Sequence, residues 1–76
     1  MEELLEILRD MHPDVDFETE DHLIDNGILD SLDIVSLISE ISENFDVTIT
    51  ARDILPENFN SARALWDLVR RLEDEG

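Results

Sequence analysis

The stretch "GILDSLDIVSLISEI", Gly27 to Ile41, decides the fold. It begins as a loop and turns helical at its serine. Asp30 is a good N-cap, and Asp33, three positions on, puts a carboxylate in the first turn, where negative charge suits the helix dipole. Apolar residues then recur at Leu32, Ile34, Val35, Leu37, Ile38, Ile41 and Phe45. This spacing predicts a helix from about Ser31 to Phe45. Its apolar stripe is wide, so the helix belongs at the centre of a domain and touches several neighbours. A serine hydroxyl is thereby placed at a helix start between two acids.

The flanking segments read as further helices. Upstream, Leu4, Leu5, Leu8 and Met11 have helical spacing over residues 2–11, with glutamates in the first turns, and Pro13 ends that helix. From there to Leu29 the pattern is aperiodic. Val15, Phe17, Leu23, Ile24, Ile28 and Leu29 punctuate it as apolar anchors, which predicts a long ordered loop rather than a disordered one. Downstream, "DVTIT" alternates like a strand but has no partner strand, so it reads as a connection with Val47 and Ile49 pointing inward. Thr50 is placed to cap a short helix over Ala51 to Leu55, stopped by Pro56, and "PENFN" reads as a turn anchored by Phe59. Ser61 caps a last helix from Ala62 to about Leu72, after which "EDEG" is expected to fray. The fold expected is all-α: a small four-helix bundle of three longer helices and a short third one, with the long loop between the first two. Met11, Phe59 and Trp66 are read as packing residues.

Composition bounds what such a bundle does. A chain of 76 residues makes one small domain, and 42% hydrophobic content is enough for it to fold. There is no cysteine, so neither a disulfide nor a thiolate metal site helps, and a stability of about 3–5 kcal/mol is expected. Twenty-one acids face five basic residues, all arginine, for a net charge of −16. That field repels phosphate, which argues against nucleic acid and anionic membrane as partners, and favours a basic protein surface. The charge exceeds the roughly 2–8 units that solubility asks of a small domain, so part of it is free for recognition. No apolar run approaches ~20 residues and the acidic start is unlike a signal peptide, so a soluble, cytoplasmic monomer is expected.

Catalytic chemistries fit poorly. "DVDFETEDHLID" offers oxygen ligands at alternate positions from Asp14, yet Thr19 stands where a calcium loop needs glycine and Asp25 where it needs glutamate. No metal site is assigned. Ser31 lies outside any G-x-S-x-G elbow. His12 and His22, the candidate bases, both lie in the loop region with nothing in the sequence to fix either near Ser31. What remains is a hydroxyl displayed at a helix N-terminus, where free N–H groups and a partial positive charge favour a bound phosphate. On spacing alone, the reading of Ser31 as an ordinary first-turn serine is the favoured one.

At this point the residues resemble a known family. "DSLD" (Asp30, Ser31, Leu32, Asp33), opening an apolar-striped helix that closes in "ENFDVTI", is similar to the acyl carrier proteins, including their peptidyl and aminoacyl members. "LIDNGILDSLDIVSLISEISENFDVTI" matches the family's loop–serine–helix block and "PENFNSARALWDLV" its closing helix, so the likeness covers nearly the whole chain. The resemblance implies that Ser31 carries 4′-phosphopantetheine, transferred from coenzyme A by a separate magnesium-dependent phosphopantetheinyl transferase. The chain is then no enzyme. It holds an acyl or aminoacyl group as a thioester, placed there by a loading ligase or transferase and delivered to downstream enzymes with basic docking patches. Asp30, Leu32, Asp33, Val35 and Glu43 are implied as docking residues. Ser36 and Ser42 stand where fatty-acid carriers usually have glutamate, and Ser39 where they often have methionine. The likeness is therefore closer to carriers of specialised polyketide, nonribosomal-peptide or aminoacyl/D-alanyl pathways. The rivals are a fatty-acid carrier, an unmodified acidic adaptor and a small hydrolase. An adaptor has no need of serine at this position, and a hydrolase requires turnover by the chain alone.

One prediction comes from charge. Sodium chloride raised from low to moderate concentration is expected to raise the melting temperature by screening repulsion among the acids. A melting temperature that stays constant across that range overturns the idea that repulsion limits the fold.

Overall fold

The computed structural model describes residues 1–75. Among them the chain forms four α-helices and no strand: α1 (Glu2–Met11), α2 (Ser31–Phe45), α3 (Pro56–Phe59) and α4 (Ala62–Glu75). The bounds of α1 and α2 are those expected. The first helix buries Leu4, Leu5 and Leu8 against α2 and α4, and Leu37 and Ile41 of α2 meet Leu65, Leu68 and Val69 of α4 in one core. Met11 is half-buried at the edge of that core, whereas Phe59 lies fully inside. Trp66 is half-buried and stacks edge-on against Phe45, with ring centroids 5.7 Å apart. Val47 and Ile49 point inward from a connection that is not a strand.

Two boundaries differ from the reading of the sequence. Ala51–Asp53 is a single 3-10 turn, and the short α-helix lies further on, beginning at Pro56. Proline stops the first element but also starts the second: its fixed φ suits the first helical position, where a missing N–H costs nothing. The last helix runs on to Glu75 instead of fraying after Leu72, and Gly76 lies outside the described residues. The expected Ser61 cap is present, with Ala64 N–H donating to Ser61 Oγ at 3.0 Å, whereas at Thr50 the Asp53 carboxylate accepts from the Thr50 N–H and hydroxyl instead.

The long loop is ordered by more than its anchors. Phe17, Leu23 and Leu29 are buried, and Val15, Ile24 and Ile28 are half-buried against the core. Asn60, at the α3–α4 junction, then clamps the stretch that leads to Ser31. Its carbonyl accepts from Leu23 N–H at 2.8 Å, and its side-chain oxygen accepts from Ile24 N–H at 2.9 Å and Asp25 N–H at 3.2 Å. Gly27 turns the chain with φ +70, a conformation that glycine adopts without strain. A bond from Leu29 N–H to Leu23 carbonyl, 3.0 Å, closes the loop just before α2.

Charge is compensated sparsely. Among the described residues the arginine–carboxylate bridge is Arg9–Glu18, 3.5 Å long and exposed, which contributes little.

Replacing Asn60 by alanine strips acceptors from the Ile24 and Asp25 amides. A loss of about 1–3 kcal/mol is expected, with faster amide exchange at Ile24, while Asn60→Asp retains most of the stability. Chemical denaturation and hydrogen exchange check this, and an Asn60→Ala protein as stable as the parent overturns the clamp.

Candidate functional site

Ser31 occupies the first position of α2 because Asp30 caps it. Asp30 has an extended backbone, and its Oδ1 accepts from Asp33 N–H at 2.9 Å. Asp33 reciprocates: its Oδ2 accepts from Asp30 N–H at 3.3 Å, completing a capping box. The serine side chain is left over by this arrangement. It is exposed, and no hydrogen bond among the described residues engages its hydroxyl. Among the described residues the N–H groups of Ser31 and Leu32 also lack an acceptor, as first-turn amides do.

The remaining residues singled out in the sequence divide between two faces. Leu32, Val35, Ser39 and Glu43 recur at i, i+3, i+7 and i+11 and all face solvent, with Leu32 77% and Val35 64% exposed. Glu43 lies about 18 Å along the axis from Ser31 at 1.5 Å per residue. Asp30 is exposed at the helix start. Asp33 faces the other way, toward α1, and is half-buried.

Its partner there is not evident in the sequence. His12 is no free loop residue. It caps the C-terminus of α1, its N–H bonding the Leu8 carbonyl, and its Nε2 lies 2.8 Å from Asp33 Oδ2. That hydrogen bond is the main cause that holds the Asp33 carboxyl below its ordinary value of 3.8. Partial burial pulls the other way, and the Asp30 N–H and the charge of His12 add to the lowering. The pair does not make a catalytic triad. Nε2 is committed to Asp33, and the serine hydroxyl has no bond to the imidazole. His22, by contrast, is exposed as expected.

Beside α2 lies an apolar crevice of about 140 Å³ lined by Ile24, Ile34, Ile54, Leu55, Pro56 and Phe59. Trp66 is not part of it and borders a polar groove with Arg70 and Arg71 on the outer side of α4.

Ser31 thus stands exposed at a helix start, its hydroxyl without a hydrogen bond among the described residues. The model of the phosphopantetheine attachment site family matches residues 1–69. The chain is 30% identical to the D-alanyl carrier protein of Lactobacillus delbrueckii subsp. bulgaricus over 53 residues, 70% of this chain and 66% of that one. It is 29% identical to the D-alanyl carrier protein of Streptococcus mutans serotype c, and 26% identical to that of Lactobacillus acidophilus. Each of these two alignments spans 73 residues, 95% of this chain and 92% of the relative. No solved structure gives a significant match.

The chain belongs to the phosphopantetheine attachment site family. It is a carrier of the acyl carrier type, with 4′-phosphopantetheine as its covalently bound group. The residues fit that group. A phosphodiester at the start of α2 would meet the N–H groups of Ser31 and Leu32 and the positive end of the helix dipole on an exposed surface. Once attached, the group supplies the terminal thiol that carries cargo as a thioester. Among the described residues no helix is long and apolar enough to cross a membrane.

The lowered Asp33 pKa has a definite sign. A folded-state carboxyl below its unfolded value contributes stability that is complete above about pH 4 and is lost as pH falls through the folded value. In a His12→Ala protein, the Asp33 side-chain carbon signal is expected to titrate at higher pH than in the parent, and acid unfolding is expected to begin at higher pH. Identical Asp33 titration in both proteins rules out the imidazole as the cause.

Proposed function

We propose that Ser31 is the attachment point and that the chain is an aminoacyl carrier in a D-alanyl transfer system. The observation that carries the first part is the unbonded hydroxyl at the first position of a capped helix, beside the free N–H groups of Ser31 and Leu32. In the transfer step the Ser31 oxygen forms a bond to the pantetheine-side phosphorus of coenzyme A. The phosphoanhydride bond breaks, adenosine 3′,5′-bisphosphate leaves, and the hydroxyl proton passes to a base on the transferase. This chain contributes the oxygen and its presentation.

The relatives named D-alanyl carrier protein support the aminoacyl reading over the polyketide, nonribosomal-peptide and fatty-acid alternatives. The crevice beside α2 is small, about 140 Å³, which supports a small cargo. In this reading an ATP-dependent ligase loads the thiol with D-alanine. Loading and receiving enzymes dock on the exposed face of α2. Leu32 and Val35 supply its apolar contacts, Asp30 and Glu43 its charge, and Asp33 sits at its margin. The modifying partner is a phosphopantetheinyl transferase.

Incubation with coenzyme A, magnesium and a broad-specificity phosphopantetheinyl transferase is expected to raise the intact mass by one prosthetic arm, and Ser31→Ala is expected to abolish the gain while the helical spectrum is unchanged. The loaded protein is then expected to accept D-alanine from a D-alanine–carrier ligase in preference to L-alanine or octanoate. A Ser31→Ala protein that is still modified overturns the attachment site, and preferential loading with octanoate overturns the cargo.

A further inference from the structure

The His12–Asp33 contact is a third hydrogen bond added to the two reciprocal cap bonds of Asp30 and Asp33, and it lies outside the apolar core. It joins two elements that are 21 residues apart in sequence. We propose that His12 is a positioning residue for modification of Ser31: from the end of α1 it holds Asp33 so that the cap of α2 stays closed and the serine hydroxyl stays turned outward. The proposal rests on the reading of Ser31 as the attachment point.

The geometry makes a short mechanical chain. Leu4, Leu5 and Leu8 fix α1 in the core. His12 is tied to that helix through its own N–H to Leu8 carbonyl, 3.0 Å, and to the loop through its carbonyl, which accepts from Val15 N–H at 3.2 Å. Its imidazole is thus carried on a rigid mount. Asp33 Oδ2 accepts from that imidazole at 2.8 Å and from Asp30 N–H at 3.3 Å. The longer of these bonds sets the backbone just before Ser31. An Asp33 side chain free to rotate would surrender it readily, and the imidazole removes that freedom.

Charge gives the contact a second effect. The entering donor is anionic at phosphorus, and it approaches a serine flanked by Asp30 and Asp33. The N–H of the imidazole draws the negative charge of Asp33 toward α1, away from the solvent side where Ser31 opens. Asp30 remains exposed and available to a partner. His12 takes no proton from Ser31, because no bond joins them.

The test uses the full chain with coenzyme A, magnesium and a broad-specificity transferase, and measures kcat and KM for the carrier by mass spectrometry. His12→Ala is expected to lower kcat about tenfold with KM little changed, the size of effect expected when one charge-assisted hydrogen bond that orients a reacting group is removed. His12→Gln, whose amide N–H reaches nearly the position of Nε2, is expected to recover most of the loss. His22→Ala is expected to match the parent. Amide exchange of the unmodified proteins is measured in parallel, and the Asp30 and Asp33 amides are expected to exchange faster in His12→Ala than in His12→Gln. A parental kcat in His12→Ala overturns the proposal. So does a loss confined to KM, which makes His12 a docking contact. Failure of the parent to be modified, or modification of Ser31→Ala, overturns the attachment site instead. The hold on the cap is then judged by exchange alone, and equal exchange in parent and His12→Ala overturns it.

Discussion

Reciprocal capping at the start of α2 is the constraint on which the site depends. A helix N-terminus exposes amides that must find acceptors, and Asp30 and Asp33 supply them with side chains that point across the first turn rather than outward. The residue between cap and turn is thereby freed. A serine cap at this position would have committed its own hydroxyl to the backbone, as Ser61 does at α4, where its oxygen accepts from Ala64 N–H. Ser31 sits one position further in and keeps its oxygen unbonded. The same pair of aspartates lowers the local attraction for phosphate, so presentation and anion binding compete at this end of the helix. The turning of Asp33 toward His12 eases that competition.

A displayed residue is only as well placed as the segment that leads to it. The loop from His12 to Asp30 has no regular secondary structure of its own, yet buried side chains fasten it at Phe17, Leu23 and Leu29, and Asn60 satisfies backbone amides at Leu23, Ile24 and Asp25. The apolar anchors supply most of the favourable free energy at roughly 1.5–3 kcal/mol for each large side chain fully removed from water. The asparagine supplies direction, since hydrogen bonds fix geometry where apolar contacts tolerate sliding. The end of α1 and the α3–α4 junction therefore both converge on the start of α2, from opposite ends of the same loop.

How far the sequence alone reveals this arrangement depends on the range of each interaction. The helices α1 and α2, the Asp30 and Ser61 caps and the inward Val47, Ile49 and Phe59 are local or periodic features, and each is legible. Pro56 reads as a stop because both roles of proline, ending one helix and starting another, share one letter and differ only in the conformation of the residues after it. The extension of α4 to Glu75 has no apolar period beyond Leu72 to announce it. Asp46 closes α2 in a left-handed conformation, φ 54, usually left to glycine, and nothing in "NFDVT" signals it. His12 and Asn60 are invisible for a different reason. Their partners lie 21 and 36 residues away, and contacts of that separation are set by how helices pack, not by spacing along the chain. The serine is marked by its motif, whereas the side chain behind it requires the fold.

The proposed role also accounts for the balance of charge and apolar surface on α2. A shuttle must find several enzymes quickly and leave each of them quickly. Acids speed the encounter through long-range attraction, an effect on association more than on final affinity. Release depends on how much apolar surface is buried at the contact. Leu32 and Val35 are exposed on that face, and their full burial is worth about 3–6 kcal/mol together. Against the entropy lost on association, apolar burial of this size cannot by itself hold a partner tightly. A larger apolar face would tighten binding at the expense of turnover, and would leave a patch open to aggregation between visits. The serines at Ser36 and Ser39 keep the remainder of that face small and polar, so steering comes from charge at either end of the helix while the grip between them stays weak.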